Sequence, residues 1–292
     1  MRLGTRGSAL ALAQAETVAA HLVATGAAGH VELVTITTSG DRGGAVADKR
    51  RWIDTIGQAL TAGEIDLAVH SAKDVPGAHE LAPGMRIAAV TPRADARDAL
   101  VGAPSLDALA PGARVGTASL RRRSQLLAAR PDLDIVELRG NVPTRLSRLD
   151  EGAVDAVVLA AAGLRRLGLG DRIGELLDPE RFVPAPGQGI LALEGPTIPG
   201  GVADEDAVAA LAAERAVVEA LGASCTTPVG CHDDGHGLSV YVGTPDGGSW
   251  LRDRVVAGDA PARAALAIER LELLGARALL DGAGTASSGA DG

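Results

Sequence analysis

Three short stretches of this chain hold the residue types that could do chemistry. The first is His70-Ser71-Ala72-Lys73-Asp74-Val75-Pro76, directly after the apolar run 65–69. Polar groups at the carboxyl end of a parallel strand lie where α/β sheets bind their ligands. An Asp held ionised beside a Lys there can act electrostatically, although a solvated turn at Val75-Pro76-Gly77 explains the same residues. The second stretch, Gly116 to Gln125, ends a strand in small hydroxylated residues, among them Thr117 and Ser119, and enters a helix on Arg121, Arg122 and Arg123. Cations at a helix N-terminus oppose its dipole, a cost that an anion bound at the backbone N–H groups relieves. A basic helix face in solvent is the competing reading. Arg139-Gly140-Asn141-Val142-Pro143-Thr144-Arg145 repeats the arrangement, and Arg is the residue suited to gripping carboxylates with two parallel bonds. The third stretch, Gly222 to Gly230, is a loop of small residues around Cys225. A thiol so placed can serve as nucleophile or attachment point, and a buried structural thiol is the alternative.

Cys225, Cys231, His232 and His236 fall within twelve residues and offer a metal site by residue type. Cys-x5-Cys-His is not a usual zinc pattern, so no metal is expected. No P-loop, zincin motif or nucleophile elbow is present.

The elements that must position these residues follow from length and pattern. At 292 residues the chain exceeds one hydrophobic core, which predicts two or three units. With 46% hydrophobic residues and 1% aromatic, the cores must be filled by Ala, Val, Leu and Ile. The net charge of -9 argues against a general nucleic-acid or membrane-surface binder. Residues 114–148 nevertheless hold eight Arg against three acids, which points to a small polyanionic ligand. The N-terminus lacks the apolar core of a secretion signal, no run of about 18 apolar residues exists, and cysteine is scarce. A cytoplasmic setting is expected.

Alternation of apolar runs with helix-length segments predicts parallel sheets with crossover helices, an α/β fold. Strands are expected near 2–5, 31–37, 66–70 and 86–90, with helices near 9–24, capped by Ser8, and 52–62. A second α/β unit follows, with strands near 114–116, 134–138 and 156–159 and helices after Ser119, Asn141 and Ala160. A third unit opens with a helix near 205–221, continues through a hairpin at 238–243 and 249–256, and closes with one helix over 261–280. The expected domains are 1–91 completed by about 188–202, then 92–187, then an α+β domain at 203–281. A disordered tail is expected at 282–292.

Seven ordered blocks, GTRGSALALAQ, HSAKDVP, VGTASLRRRSQL, LRGNVPTRL, LAAAGLRRLGL, VPAPGQGILALE and AERAVVEALGASCTTPVG, closely resemble the hydroxymethylbilane synthase (porphobilinogen deaminase) family over nearly the whole chain. The resemblance implies two periplasmic-binding-protein-like α/β domains around a cleft and a smaller α+β C-terminal domain. It implies a dipyrromethane cofactor joined to Cys225 by a thioether. On it, four molecules of the substrate porphobilinogen are condensed head to tail with loss of ammonia, and water then releases linear 1-hydroxymethylbilane. Asp74 would be the catalytic group, stabilising the cation formed as ammonia leaves. Lys73, Ser71, Thr117, Ser119, Arg121, Arg122 and Arg139 would hold the cofactor, and Arg6, Ser8, Arg145, Arg166 and Gln188 the incoming substrate. The family resemblance also suggests a monomer.

The chain departs from the family pattern twice. Where many members carry a Gly-Lys-Gly-Leu-Phe type of lid, this chain reads Asp48-Lys49-Arg50-Arg51-Trp52-Ile53, and the usual Gly-Gly before the cysteine is Ala223-Ser224. These departures motivate one rival reading, a paralogue that binds a solute or regulates without turnover.

Overall fold

The chain runs β1 (Arg2–Arg6), α1 (Ala9–Ala24), β2 (Glu32–Ile36), α2 (Lys49–Thr61), β3 (Leu67–Ser71) and β4 (Arg86–Val90). It continues through β5 (Asp98–Val101), β6 (Arg114–Gly116), α3 (Leu120–Ala129), β7 (Asp134–Val136), α4 (Val142–Asp150), β8 (Ala156–Ala160), α5 (Ala161–Arg166) and β9 (Ile173–Leu176). Then come β10 (Leu191–Gly195), α6 (Glu205–Ala220), β11 (Val229–Asp233), β12 (Leu238–Gly243), β13 (Trp250–Val255), α7 (Ala260–Leu273) and α8 (Ala276–Ala286). This computed structural model describes residues 1–36, 49–75, 81–197, 200–223 and 227–286. They form two units, 1–94 with 189–208, and 95–188 with the chain from 209 onward.

The first unit holds a five-stranded sheet in the order β2-β1-β3-β10-β4. β2, β1 and β3 are parallel, and β10 runs antiparallel between β3 and β4. Side chains alternate across a strand, so each strand feeds two cores. Leu67, Val69, Leu191 and Leu193 pack with Ala15, Val18 and Leu22 of α1, while Ala68 packs with Ile56, Ala59 and Leu60 of α2. The spacing of Ala15, Val18 and Leu22 places them on one face of α1. Ser8 starts that helix, its Oγ accepting the Ala11 N–H at 3.3 Å.

The second unit repeats this plan as β7-β6-β8-β5-β9, with β7, β6 and β8 parallel and β5 the antiparallel insertion. Val115, Ile135, Ala156 and Val158 face Leu126 of α3; Val157, Leu159, Ala99 and Val101 face Leu146 of α4 and Leu164 of α5. Burial on both faces explains why β8 reads as the continuous apolar run AVVL.

The same unit carries the antiparallel sheet β11-β12-β13. One face of it packs with Val217 of α6 and with Ala264, Ala267 and Leu271 of α7. The single closing helix expected over 261–280 is two helices. Leu274 ends α7 in right-handed helical conformation, Gly275 takes φ +74, and α8 then starts. A left-handed glycine terminates a helix because no Cβ penalises that conformation. α8 also runs to Ala286, into the stretch expected to be an unstructured tail; residues 287–292 lie outside the described residues.

Candidate active site

In the first unit the candidate residues gather at the carboxyl ends of two adjacent parallel strands. Arg6 ends β1 and Ser8 caps the helix that follows it. Ser71 ends β3, and Ala72–Asp74 form a single 3-10 turn. That turn is fastened to the inserted strand: the Ala72 N–H donates to the Ile190 carbonyl at 3.0 Å, and the Val75 N–H closes on the Ala72 carbonyl at 3.3 Å. Lys73 is half-buried and Asp74 exposed, on a turn whose backbone is held by these two bonds. One residue earlier, His70 Nε2 lies 2.9 Å from Oε2 of the fully buried Glu194 on β10. Glu194 Oε1 has no hydrogen-bond partner among the described residues.

The corresponding edge of the second unit holds the hydroxyls and arginines. Thr117 is buried after β6, and its Oγ1 accepts the Ser119 N–H at 3.2 Å. Ser119 caps α3, its Oγ accepting the Arg122 N–H at 3.4 Å. After β7, Gly140 takes φ +114, and a Cβ there would sit 2.9 Å from Thr144 Cγ2. Asn141 then caps α4 through its Oδ1, which accepts from Thr144 N at 2.9 Å. This turn sets Arg139 and Arg145 on either side of it. Arg139 is exposed and pairs with Glu137 at 2.6 Å, while the Arg145 Nε donates to the Gly140 carbonyl at 2.8 Å. Arg166 ends α5, the helix that follows β8.

Arg121 and Arg122 point inward. Both are buried, and both bind Asp98, the first residue of β5. Arg121 Nη1 donates to Asp98 Oδ2 at 2.7 Å and to the Val183 carbonyl at 2.8 Å. Arg122 donates to Asp98 Oδ1 through Nε at 3.0 Å and Nη2 at 2.8 Å, and through Nη1 to the Val158 carbonyl at 3.1 Å. Gln188 is buried as well, its Nε2 donating to Asp98 Oδ1 at 2.9 Å and to the Ala96 carbonyl at 2.7 Å. The sequence predicts ligand contacts from these three residues and carries no local signal for Asp98. The signal available for it was the excess of arginine over acid in 114–148, which calls for a counter-ion from elsewhere in the chain. Burial pushes the Asp98 carboxyl up, but the two guanidinium groups outweigh it and hold the acid well below the usual carboxylate range.

Burial also acts on two of the remaining arginines. Burial lowers the pKa of Arg145 and Arg166, and for Arg145 the nearby Arg122 lowers it further. Among the described residues no carboxylate forms an ion pair with Arg145. An anion bound at this edge would reverse both effects. The donor set therefore fits a ligand bearing several carboxylates, such as a dipyrromethane with acid side chains.

Cys225, its expected attachment point, lies outside the described residues, as does the segment 37–48 that precedes α2. Cys231 is buried in the core of the α+β part. Neighbouring His232 has Nδ1 3.4 Å from Glu214 Oε1. Among the described residues no group of three His, Cys, Asp or Glu is placed to hold a metal ion.

A family model described as porphobilinogen deaminase, dipyromethane cofactor binding domain, matches residues 1–197. The chain belongs to the porphobilinogen deaminase family. Porphobilinogen deaminase of Thermus thermophilus is 46% identical over 87% of this chain and 88% of its own length. That of Roseiflexus castenholzii is 44% identical over 97% of this chain and 99% of its own. Among solved structures, a periplasmic substrate-binding protein of an ABC transporter from Coxiella burnetii aligns over 71% of this chain and 86% of its own. Its identity is 15% and its TM-score 0.40.

Proposed function

We propose that the protein is a hydroxymethylbilane synthase, a transferase that condenses porphobilinogen on a dipyrromethane primer and releases 1-hydroxymethylbilane for tetrapyrrole and haem synthesis. The observation that carries this is the full-length match to relatives named porphobilinogen deaminase, with the family's cofactor-binding model over residues 1–197. The match favours turnover over the reading of a solute-binding paralogue.

When bound, the primer supplies the nucleophilic pyrrole on which the chain grows. Cys225 tethers it through sulfur. Asp74, on a turn pinned by Ile190, presents a fixed anion to the positive charge that develops as ammonia departs. Such a preorganised charge acts most strongly where water is excluded. Ser71 and Lys73 on the same turn, with Arg6 and Ser8 beside it, supply polar and cationic contacts to acid side chains. Thr117, Ser119, Arg139, Arg145 and Arg166 do the same on the second sheet. Arg121 and Arg122 keep N–H groups beyond those given to Asp98 and the two carbonyls, since a guanidinium has five, and Gln188 holds Asp98 in register with them. The chain works as a cytoplasmic monomer on this reading, without nucleic acid. Among the described residues no helix is long and apolar enough to cross a membrane.

The test is stoichiometry. Purified protein given porphobilinogen should release four ammonia molecules per hydroxymethylbilane formed, and Cys225→Ser should form none. Porphobilinogen bound but recovered unchanged would sink the proposal.

A further inference from the structure

Asp98 stands at the start of the antiparallel strand inserted into the second sheet, directly opposite Ala160 at the carboxyl end of β8. It is therefore at the ligand edge of that sheet, beneath the first turn of α3. Four of its contacts come from Arg121 and Arg122 and a fifth from Gln188. Two guanidinium groups share one carboxylate, so this buried cluster carries one net positive charge. The charge is not isolated, because Arg122 is close enough to Arg145 to act on it.

We propose that Asp98 is a positioning residue that fixes the Arg121–Arg122 pair and halves its charge, so that the second unit holds a carboxylate-bearing chain firmly enough to orient it and loosely enough to let it advance. The proposal rests on reading this edge as a carboxylate site. Its physical basis is that a product gaining acid groups at every addition must exchange its contacts repeatedly. With Asp98 absent the pair would present two charges in a desolvated setting, where Coulomb attraction is strong. Each carboxylate would then be held longer. With Asp98 present, both guanidinium planes are also fixed before a ligand arrives, which sets the ligand's orientation rather than the strength with which it is held.

The experiment uses the full chain and glutarate, a dicarboxylate that cannot react, so that its outcome is independent of turnover. Asp98→Asn keeps the side-chain size and removes the charge. It should bind glutarate at least about threefold more tightly than wild type by titration calorimetry. With porphobilinogen the same variant should lower KM and kcat together, and Asp98→Glu should restore both toward wild type. A merely structural role would weaken binding or leave it unchanged, and either result overturns the proposal. Should Asp98→Asn not fold, Asp98→Glu keeps the charge and should bind glutarate within about twofold of wild type; a larger change at constant charge also overturns the proposal. Failure of the broader reading would appear differently, as absent turnover in wild type.

Discussion

The fully buried carboxylate of Glu214 on α6 accepts the Gly187 N–H at 2.6 Å, and its other oxygen accepts the Asp233 N–H at 2.8 Å. One side chain thus joins the segment that follows the second sheet to strand β11. Val183 and Pro184 reinforce the junction, through Gln125 and through the Cys231 N–H, which donates to the Pro184 carbonyl at 2.9 Å. Gly230 permits it, because a Cβ there would sit 2.6 Å from the Val183 carbonyl oxygen.

Replacing Glu214 with Gln leaves one oxygen for two buried N–H donors. Hydrogen bonds to charged groups contribute about 1.5–3 kcal/mol each, so Glu214→Gln should lower unfolding free energy by about 2 kcal/mol or more in urea titrations. A loss under about 0.5 kcal/mol, the range of ordinary surface substitutions, would show that the junction is held by packing alone.

Asp74 is exposed on a turn whose backbone is closed by the Ala72–Ile190 and Val75–Ala72 hydrogen bonds, which a change of its side chain leaves in place. Asp74→Ala should therefore keep the thermal midpoint and the covalent primer. Ammonia release should fall at least about a hundredfold, the scale of losing one preorganised electrostatic group. Turnover close to wild type would assign the catalytic charge elsewhere.

Asp95 gives a pH signature. A hydrogen bond from Arg97 holds its carboxyl down to about 2, with Arg165 adding to the effect. A carboxyl depressed in the folded state contributes stability that is fully present above its unfolded value near 3.9 and is lost as pH falls through about 2. Wild type should exceed Asp95→Asn in urea midpoint at neutral pH, and the gap should close between about pH 4 and 2. A gap independent of pH would contradict this.

Gly140 turns the chain between Arg139 and the capped start of α4. At φ +114 any side chain is strained, and here it also meets Thr144. Gly140→Ala should cost about 1–3 kcal/mol and raise KM for porphobilinogen, since Arg139 and Arg145 are set by this turn. An unchanged KM would separate the two arginines from substrate binding.

Local signals in the sequence located most elements. Ser8, Ser119 and Asn141 each sit where a helix begins and bond within three residues, so their meaning is readable from neighbours. The carboxylates that organise the interior were missed because their partners are distant in sequence. Asp98 meets Arg121 and Gln188 across 23 and 90 residues, and Glu194 meets His70 across 124. The inserted strands β5 and β10 escaped for the same reason: four or five residues long, they are defined by pairing with strands made elsewhere. Tyr241 shows a third limit. In the hairpin it looks like one more apolar residue, but its hydroxyl lies 2.7 Å from Ser124 Oγ on α3, a link between two parts of the second unit that no periodicity encodes.

The central claim is a covalent primer on Cys225, and the intact mass of the purified full chain tests it most directly. The account predicts a mass above the sequence value by one dipyrromethane, abolished in Cys225→Ser and increasing in steps of one pyrrole unit when limited porphobilinogen is added. A mass equal to the bare sequence, unchanged after incubation with porphobilinogen, would contradict it.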